Sequence, residues 1–212
     1  ECGAGGNGVR DDTPRVRELL GSGRPVVAVL ASEFVAALHP VSPLEVERVL
    51  ETIGFFAVES TLLGEEIVAT EYQRMFARPC ASLILRSTCP VTVDWVRKYY
   101  PELVAALTPI VPPYVAQARL VKELYPDDTV VVYVSPCYAR KDEAYDPEFS
   151  GAIDAAIDFI ELERLMSERR PRPPYATSGS GLRRPQPVKE LSLTDGFPRA
   201  ELAQRDQTDA AI

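Results

Sequence analysis

Two stretches of this chain place a cysteine beside a proline inside a polar run. One is Ser87-Thr88-Cys89-Pro90; the other is Ser135-Pro136-Cys137-Tyr138-Ala139-Arg140-Lys141-Asp142-Glu143. Each follows an apolar run, so each thiol stands where a buried strand would hand over to a constrained loop. A thiolate aimed from such a loop is a nucleophile or a metal ligand, and thiolates are the standard ligands of iron–sulfur clusters. Arg140 and Lys141 would lower a nearby thiol pKa and favour the thiolate. Spacing alone also admits ordinary buried cysteines under tight turns.

The remaining chemistry-bearing residues carry weaker signals. Cys2 and Cys80 complete a set of four cysteines, and no two of the four form a Cys-x-x-Cys pair. Zinc-ribbon and thioredoxin readings therefore get no support. His39 is the single histidine and sits beside Pro40, as a loop or core histidine would. Gly3 to Gly8 spells Gly-x-Gly-x-x-Gly, but no strand can precede it as a dinucleotide site requires. Glu65-Glu66 and Asp127-Asp128 read as solvated faces or turns.

The elements that must position the two loops alternate between strand and helix patterns. Asp12 or Thr13 caps a helix that carries Pro14 in its first turn and stops at Gly21. Pro25–Ala31 is a valine-rich run of the kind found in strands buried on both faces. A helix from Ser42-Pro43, a strand over Phe55–Val58 and a helix from Gly64 to Phe76 follow. Ala81–Arg86 is expected as a third strand, then helices over Val93–Tyr100 and Tyr114–Tyr125. Thr129–Val134 is a fourth strand and Ala155–Ile160 a fifth, with a last helix over Glu161–Arg170. Strands separated by helices predict an α/β domain with a mostly parallel sheet flanked by helices. Function in such a sheet sits at the carboxyl ends of the strands.

Residues 1–12 form a Gly-rich N-terminal tail, 13–170 the α/β domain, and 171–212 a Pro- and Gly-rich arm or a truncated remainder of the domain. The arm holds Pro171, Pro173, Pro174, Pro185 and Pro187, with basic residues at Arg169–Arg172 and Arg183-Arg184. Those charges could meet an acidic partner, with solubilisation as the default role. Across 212 residues the charges sum to -8, which argues against broad nucleic-acid binding and against docking on anionic membrane. No apolar run approaches ~18 residues, so no membrane-spanning helix is expected. The first residues lack a signal-peptide layout, and a cytoplasmic home is the default.

The stretch Ser87 to Leu103 resembles the first signature loop of the [FeFe]-hydrogenase large-subunit domain, a Thr-Ser-Cys-Cys-Pro-x-Trp pattern followed by a Lys-Tyr-x-Pro-Glu-Leu helix end. The second loop is similar to that family's Met-Pro-Cys-x-x-Lys-x-x-Glu motif, and Pro147–Gly151 with Asp154–Leu165 follows its usual continuation. The resemblance implies that Cys89 and Cys137 are two of four cysteine ligands to the cubane half of a catalytic cluster, a [4Fe–4S] group. It makes Glu143 a loop brace, and places Thr88, Arg140 and Lys141 around the ligands. Thr88 stands where the family's active enzymes carry a proton-passing cysteine. Ser135 replaces a methionine, Arg140 replaces a lysine, and Trp95 is displaced by extra residues after Pro90.

The family's third motif supplies two further cysteine ligands, and no cysteine follows Cys137. Cys2 and Cys80 could complete a set of four, unlike the family's own. Cys80 is read as structural, because a strand of five residues would hold it ~17 Å from Cys89. These departures match the family's divergent sensory branch, whose domains are fused to other modules. The expected role is a hydrogenase-like iron–sulfur domain used for redox or gas sensing, or for electron relay and signal transduction, with no catalytic residue of its own. Its expected partners are other domains of a larger sensor or redox protein, not nucleic acid or membrane. A divergent hydrogenase fragment turning over hydrogen is the enzymatic alternative, and a metal-free interaction scaffold the third.

Overall fold

The structure is a computed structural model describing residues 10–77 and 83–168. Four strands form one all-parallel sheet: β1 (Val26–Leu30), β2 (Ala57–Ser60), β3 (Val130–Val134) and β4 (Ala155–Ile157), in the order β2-β1-β3-β4. The helices are α1 (Thr13–Gly21), α2 (Phe34–Ala37), α3 (Pro43–Ile53), α4 (Leu62–Phe76), α5 (Pro90–Tyr99), α6 (Pro113–Leu124), α7 (Tyr138–Glu143) and α8 (Phe159–Ser167). The expected α/β class with a parallel sheet is what the chain forms.

Strict alternation along the strands builds two cores. Val26, Ala28, Leu30, Val130, Val132 and Val134 pack with α1, α3 and α8 through residues such as Val16, Leu50 and Leu162. Val27, Val29, Val131 and Tyr133 face the other way, onto Tyr114, Val115, Ala118 and Val121 of α6. Every residue of β1 and β3 is buried, as a parallel strand covered on both faces requires. Against α6 lies α4, where a Cβ built on Gly64 would meet the Pro113 carbonyl oxygen at 2.2 Å. The Gly64 amide donates to Gln117 Oε1 at 2.8 Å, so glycine here permits both the close approach and the bond.

Four expectations need correction. Of the strand predicted over Ala81–Arg86, the described residues 83–86 join none of the four strands. Residues 78–82 lie outside the described residues, and beyond them Leu85 makes a single bridge to Leu107. Both flanks of β1 are taken by β2 and β3, so Leu85 pairs outside the four strands. The ~17 Å separation argued for Cys80 loses its strand, and Cys80 itself lies outside the described residues.

The second strand begins at Ala57, later than expected, because α3 ends in a Schellman motif. Gly54, at φ 116°, donates to the Glu51 carbonyl, and the Phe55 amide donates to the Leu50 carbonyl at 3.1 Å. Phe55 is thus bound to the helix end, and sheet pairing starts with the Phe56 amide on the Val26 carbonyl. The last strand stops at Ile157, not Ile160, because Asp158 opens α8 with a reciprocal capping box to Glu161. The tail over residues 1–9 and the arm from 169 onward lie outside the described residues.

Candidate functional site

The order β2-β1-β3-β4 reverses direction between β1 and β3, and the crevice at their carboxyl ends is where open parallel sheets place function. Both ends are joined there, the Ala31 amide donating to the Val134 carbonyl at 2.8 Å. Glu33 leaves β1 at this point, and Ser135-Pro136-Cys137 leaves β3. Ser135 is buried and accepts from the Cys137 amide at 3.2 Å, which closes the turn that presents the cysteine.

Each cysteine is the residue just before a helix. Cys89 precedes α5 and Cys137 precedes α7; both are extended in backbone and half-buried. The loops expected around them are therefore helix starts. Pro90 occupies the first turn of α5, where its missing amide costs nothing. Behind Cys89 the backbone is tied inward. Ser87 Oγ lies 2.8 Å from Thr108 Oγ1, which lies 2.8 Å from the buried Tyr72 hydroxyl. Thr88 between them is 7% exposed.

Arg140 faces this crevice. Its guanidinium reaches Glu33 at 4.0 Å, and Tyr133 and Cys137 both help to hold its charge against burial. The Cys89 thiol is pulled below the usual thiol range. Burial opposes its ionisation, but the Thr92 amide and hydroxyl, the Val91 amide and the Arg140 charge together outweigh that cost. The Tyr133 hydroxyl lies toward Ser135 and Arg140, is fully buried, and makes no well-formed hydrogen bond. Burial pushes its pKa up to about 12. Glu143 accepts from the Tyr114 hydroxyl at 2.7 Å, and burial raises its carboxyl to about 7. A cavity of about 480 Å³ opens beside it, bounded by Pro90, Asp94, Thr108 and Glu143.

Lys141 does not join this group. It is 2% exposed and its ammonium pairs with Glu161 at 2.6 Å, on the α8 side. Successive residues on a helix diverge by about 100°, so Arg140 and Lys141 serve different sides of α7. Trp95 is 52% exposed and packs at a tilt of 49° against Tyr100, with ring centroids 4.7 Å apart. Sequence reasoning missed Glu33 as the partner of Arg140. Its position directly after the β1 run at the strand-order reversal was the available signal.

Two thiols fit half of a four-thiolate set. Among the described residues no group of three or more His, Cys, Asp or Glu side chains converges on one metal position. Cys2 lies outside the described residues, as does Cys80.

Residues 24–179 match the family described as iron only hydrogenase large subunit, C-terminal domain, and the chain belongs to that family. The cytosolic Fe-S cluster assembly factor NAR1 of Yarrowia lipolytica is 25% identical over 137 residues, covering 57% of this chain and 28% of that protein. The fold is also that of solved [FeFe]-hydrogenases. A HydA structure concerned with stepwise H-cluster assembly matches with a TM-score of 0.61 at 22% identity, over 73% of this chain and 46% of that one. Apo HydA1 from Chlamydomonas reinhardtii, in a cysteine variant, matches with a TM-score of 0.59 at 23% identity, over 73% of this chain and 47% of that one. The chain thus spans less than half the length of the relatives it matches. Among the described residues no helix is long and apolar enough to cross a membrane.

Proposed function

We propose that this domain supplies two thiolate ligands, Cys89 and Cys137, to a [4Fe–4S] cluster whose other ligands come from outside the described residues. The cluster serves redox or gas sensing, or electron relay, within a larger cytoplasmic protein. The observation that carries the proposal is the placement of both cysteines as the residues just before α5 and α7, each half-buried. When bound, such a cluster stores and passes single electrons. Around it the chain's own residues have defined tasks. Helix-start amides and Arg140 stabilise sulfur-borne negative charge, Ser135 fixes the Cys137 turn, and Tyr114 with Glu143 braces α7.

Hydrogen turnover is not part of this proposal. Thr88, buried at the position of the proton-passing cysteine, has no group that exchanges a proton near neutral pH. The test is infrared spectroscopy after anaerobic co-expression with hydrogenase maturation factors. The expected result is no band from bound carbon monoxide or cyanide and no hydrogen evolution. Such bands together with turnover would overturn the non-catalytic reading.

A second reading is favoured by the NAR1 relative, whose name marks it as a cluster assembly factor. Half a ligand set would then suit transient carriage. Passage of iron and sulfide from this chain to an apo-ferredoxin would distinguish it from a resident cluster, which stays in place.

A further inference from the structure

Beneath α7 three segments meet at a buried ion pair. Lys141 and Glu161 have side chains 2% and 6% exposed. The ammonium donates to Glu161 Oε1 at 2.8 Å, to Glu161 Oε2 at 2.6 Å and to the Arg10 carbonyl, which uses all three of its donors. Glu161 accepts the Asp12 amide at 2.9 Å and the Asp158 amide at 2.7 Å. Asp12 in turn accepts from the Tyr145 hydroxyl at 2.7 Å, and the Arg10 guanidinium lies 3.7 Å from the Tyr145 ring centre.

A buried pair of this kind stabilises no more than apolar residues of the same volume would. What apolar residues cannot do is hold one backbone carbonyl and one backbone amide of a passing segment. Here both belong to residues 10–12. The other end of the linkage is the cysteine turn. The Lys141 amide donates to the Cys137 carbonyl at 3.1 Å, one helical turn away. Cys89 is held separately, through α5 and the Ser87–Thr108–Tyr72 bonds.

We propose that Lys141 is a positioning residue through which the chain at Arg10–Asp12 sets the orientation of α7, and so of Cys137. The consequence for a cluster rests on the proposed function; the linkage itself does not. Movement of the chain ahead of Arg10 is then felt at Cys137 in preference to Cys89, which gives a preceding region of a larger protein a mechanical input to the site.

The test uses the full, reduced, metal-free chain, with iodoacetamide labelling of Cys137 and Cys89 followed separately by peptide mass spectrometry. Lys141→Met and Asp12→Ala are compared with the unaltered chain and with each other combined. The expected result is Cys137 labelling about threefold or more faster in Lys141→Met, with Cys89 not accelerated, since a displaced Arg140 can only slow it. Asp12→Ala removes the segment's side-chain bond to the Tyr145 hydroxyl and leaves its backbone bonds to Lys141 and Glu161 in place; it loosens the segment without touching α7, moves Cys137 in the same direction by a smaller factor, and adds nothing further in the combined variant. Equal acceleration of both thiols, no acceleration in folded variants, or independent addition of the two effects would overturn the proposal. If Lys141→Met fails to fold, Asp12→Ala alone decides, by the ratio of the two labelling rates. A chain that never takes up iron would count against the proposed function and leave this thiol result standing.

Discussion

Arg140 acts on Cys89 from another helix, and that action is measurable. Its charge is one of the groups that pull the Cys89 thiol below the ordinary range despite burial. Replacing it, Arg140→Ala, is expected to slow Cys89 alkylation severalfold at pH 7, read as a rightward shift of the rate–pH curve. Glu143 gives a second prediction at this scale. Its folded pKa of about 7 lies above the ordinary 4.5, so the folded chain binds its proton more tightly than the unfolded one. The group's contribution is most favourable below pH 4.5 and declines as pH rises through about 7. Glu143→Gln keeps an acceptor for Tyr114 and should raise stability at pH 8 by on the order of 1–2 kcal/mol, after solvent screening. The gain should vanish near pH 4.5, as paired denaturant titrations would show. A cysteine beside a proline after an apolar run marks a strand exit at Cys137, which follows β3, but at Cys89 it marks only a helix start. The role of Lys141 was not legible, because adjacent letters say nothing about which side of a helix each residue serves.

Helix starts and ends decided where sequence reading held and where it slipped. The Asp158–Glu161 capping box, visible as Asp-x-x-Glu, cut the last strand short, and the Gly54 cap delayed β2. The third expected strand shows a different cause. An apolar run qualifies as a strand locally, but it joins a sheet only where the chain connections lay it along an edge; Leu85 is paired with Leu107 instead, and that is a property of the whole topology. The α4–α6 contact is the element-scale feature most sensitive to one atom. Gly64→Ala must displace the Pro113 carbonyl or the Gln117 backbone, and should cost about 1–3 kcal/mol of stability in chemical denaturation. A change within experimental error would show that the two helices do not pack as described.

At the scale of the molecule, a four-stranded parallel sheet carries Cys137 past the carboxyl end of its central strand β3, with Cys89 at the start of α5, in a chain spanning less than half of the hydrogenases it resembles. The α/β class was legible because strand and helix periods alternate along the chain. The completeness of the ligand set was not, since a cluster is closed by residues that need not be near in sequence. The most direct measurement is iron and acid-labile sulfide per chain after anaerobic reconstitution with dithiothreitol, whose thiols can stand in for missing ligands. Cys89→Ala and Cys137→Ala are treated alongside. The account predicts iron and sulfide in near-equal amounts in the unaltered chain and their loss in both variants. A folded chain that takes up neither, or a cluster that survives both substitutions, would contradict it.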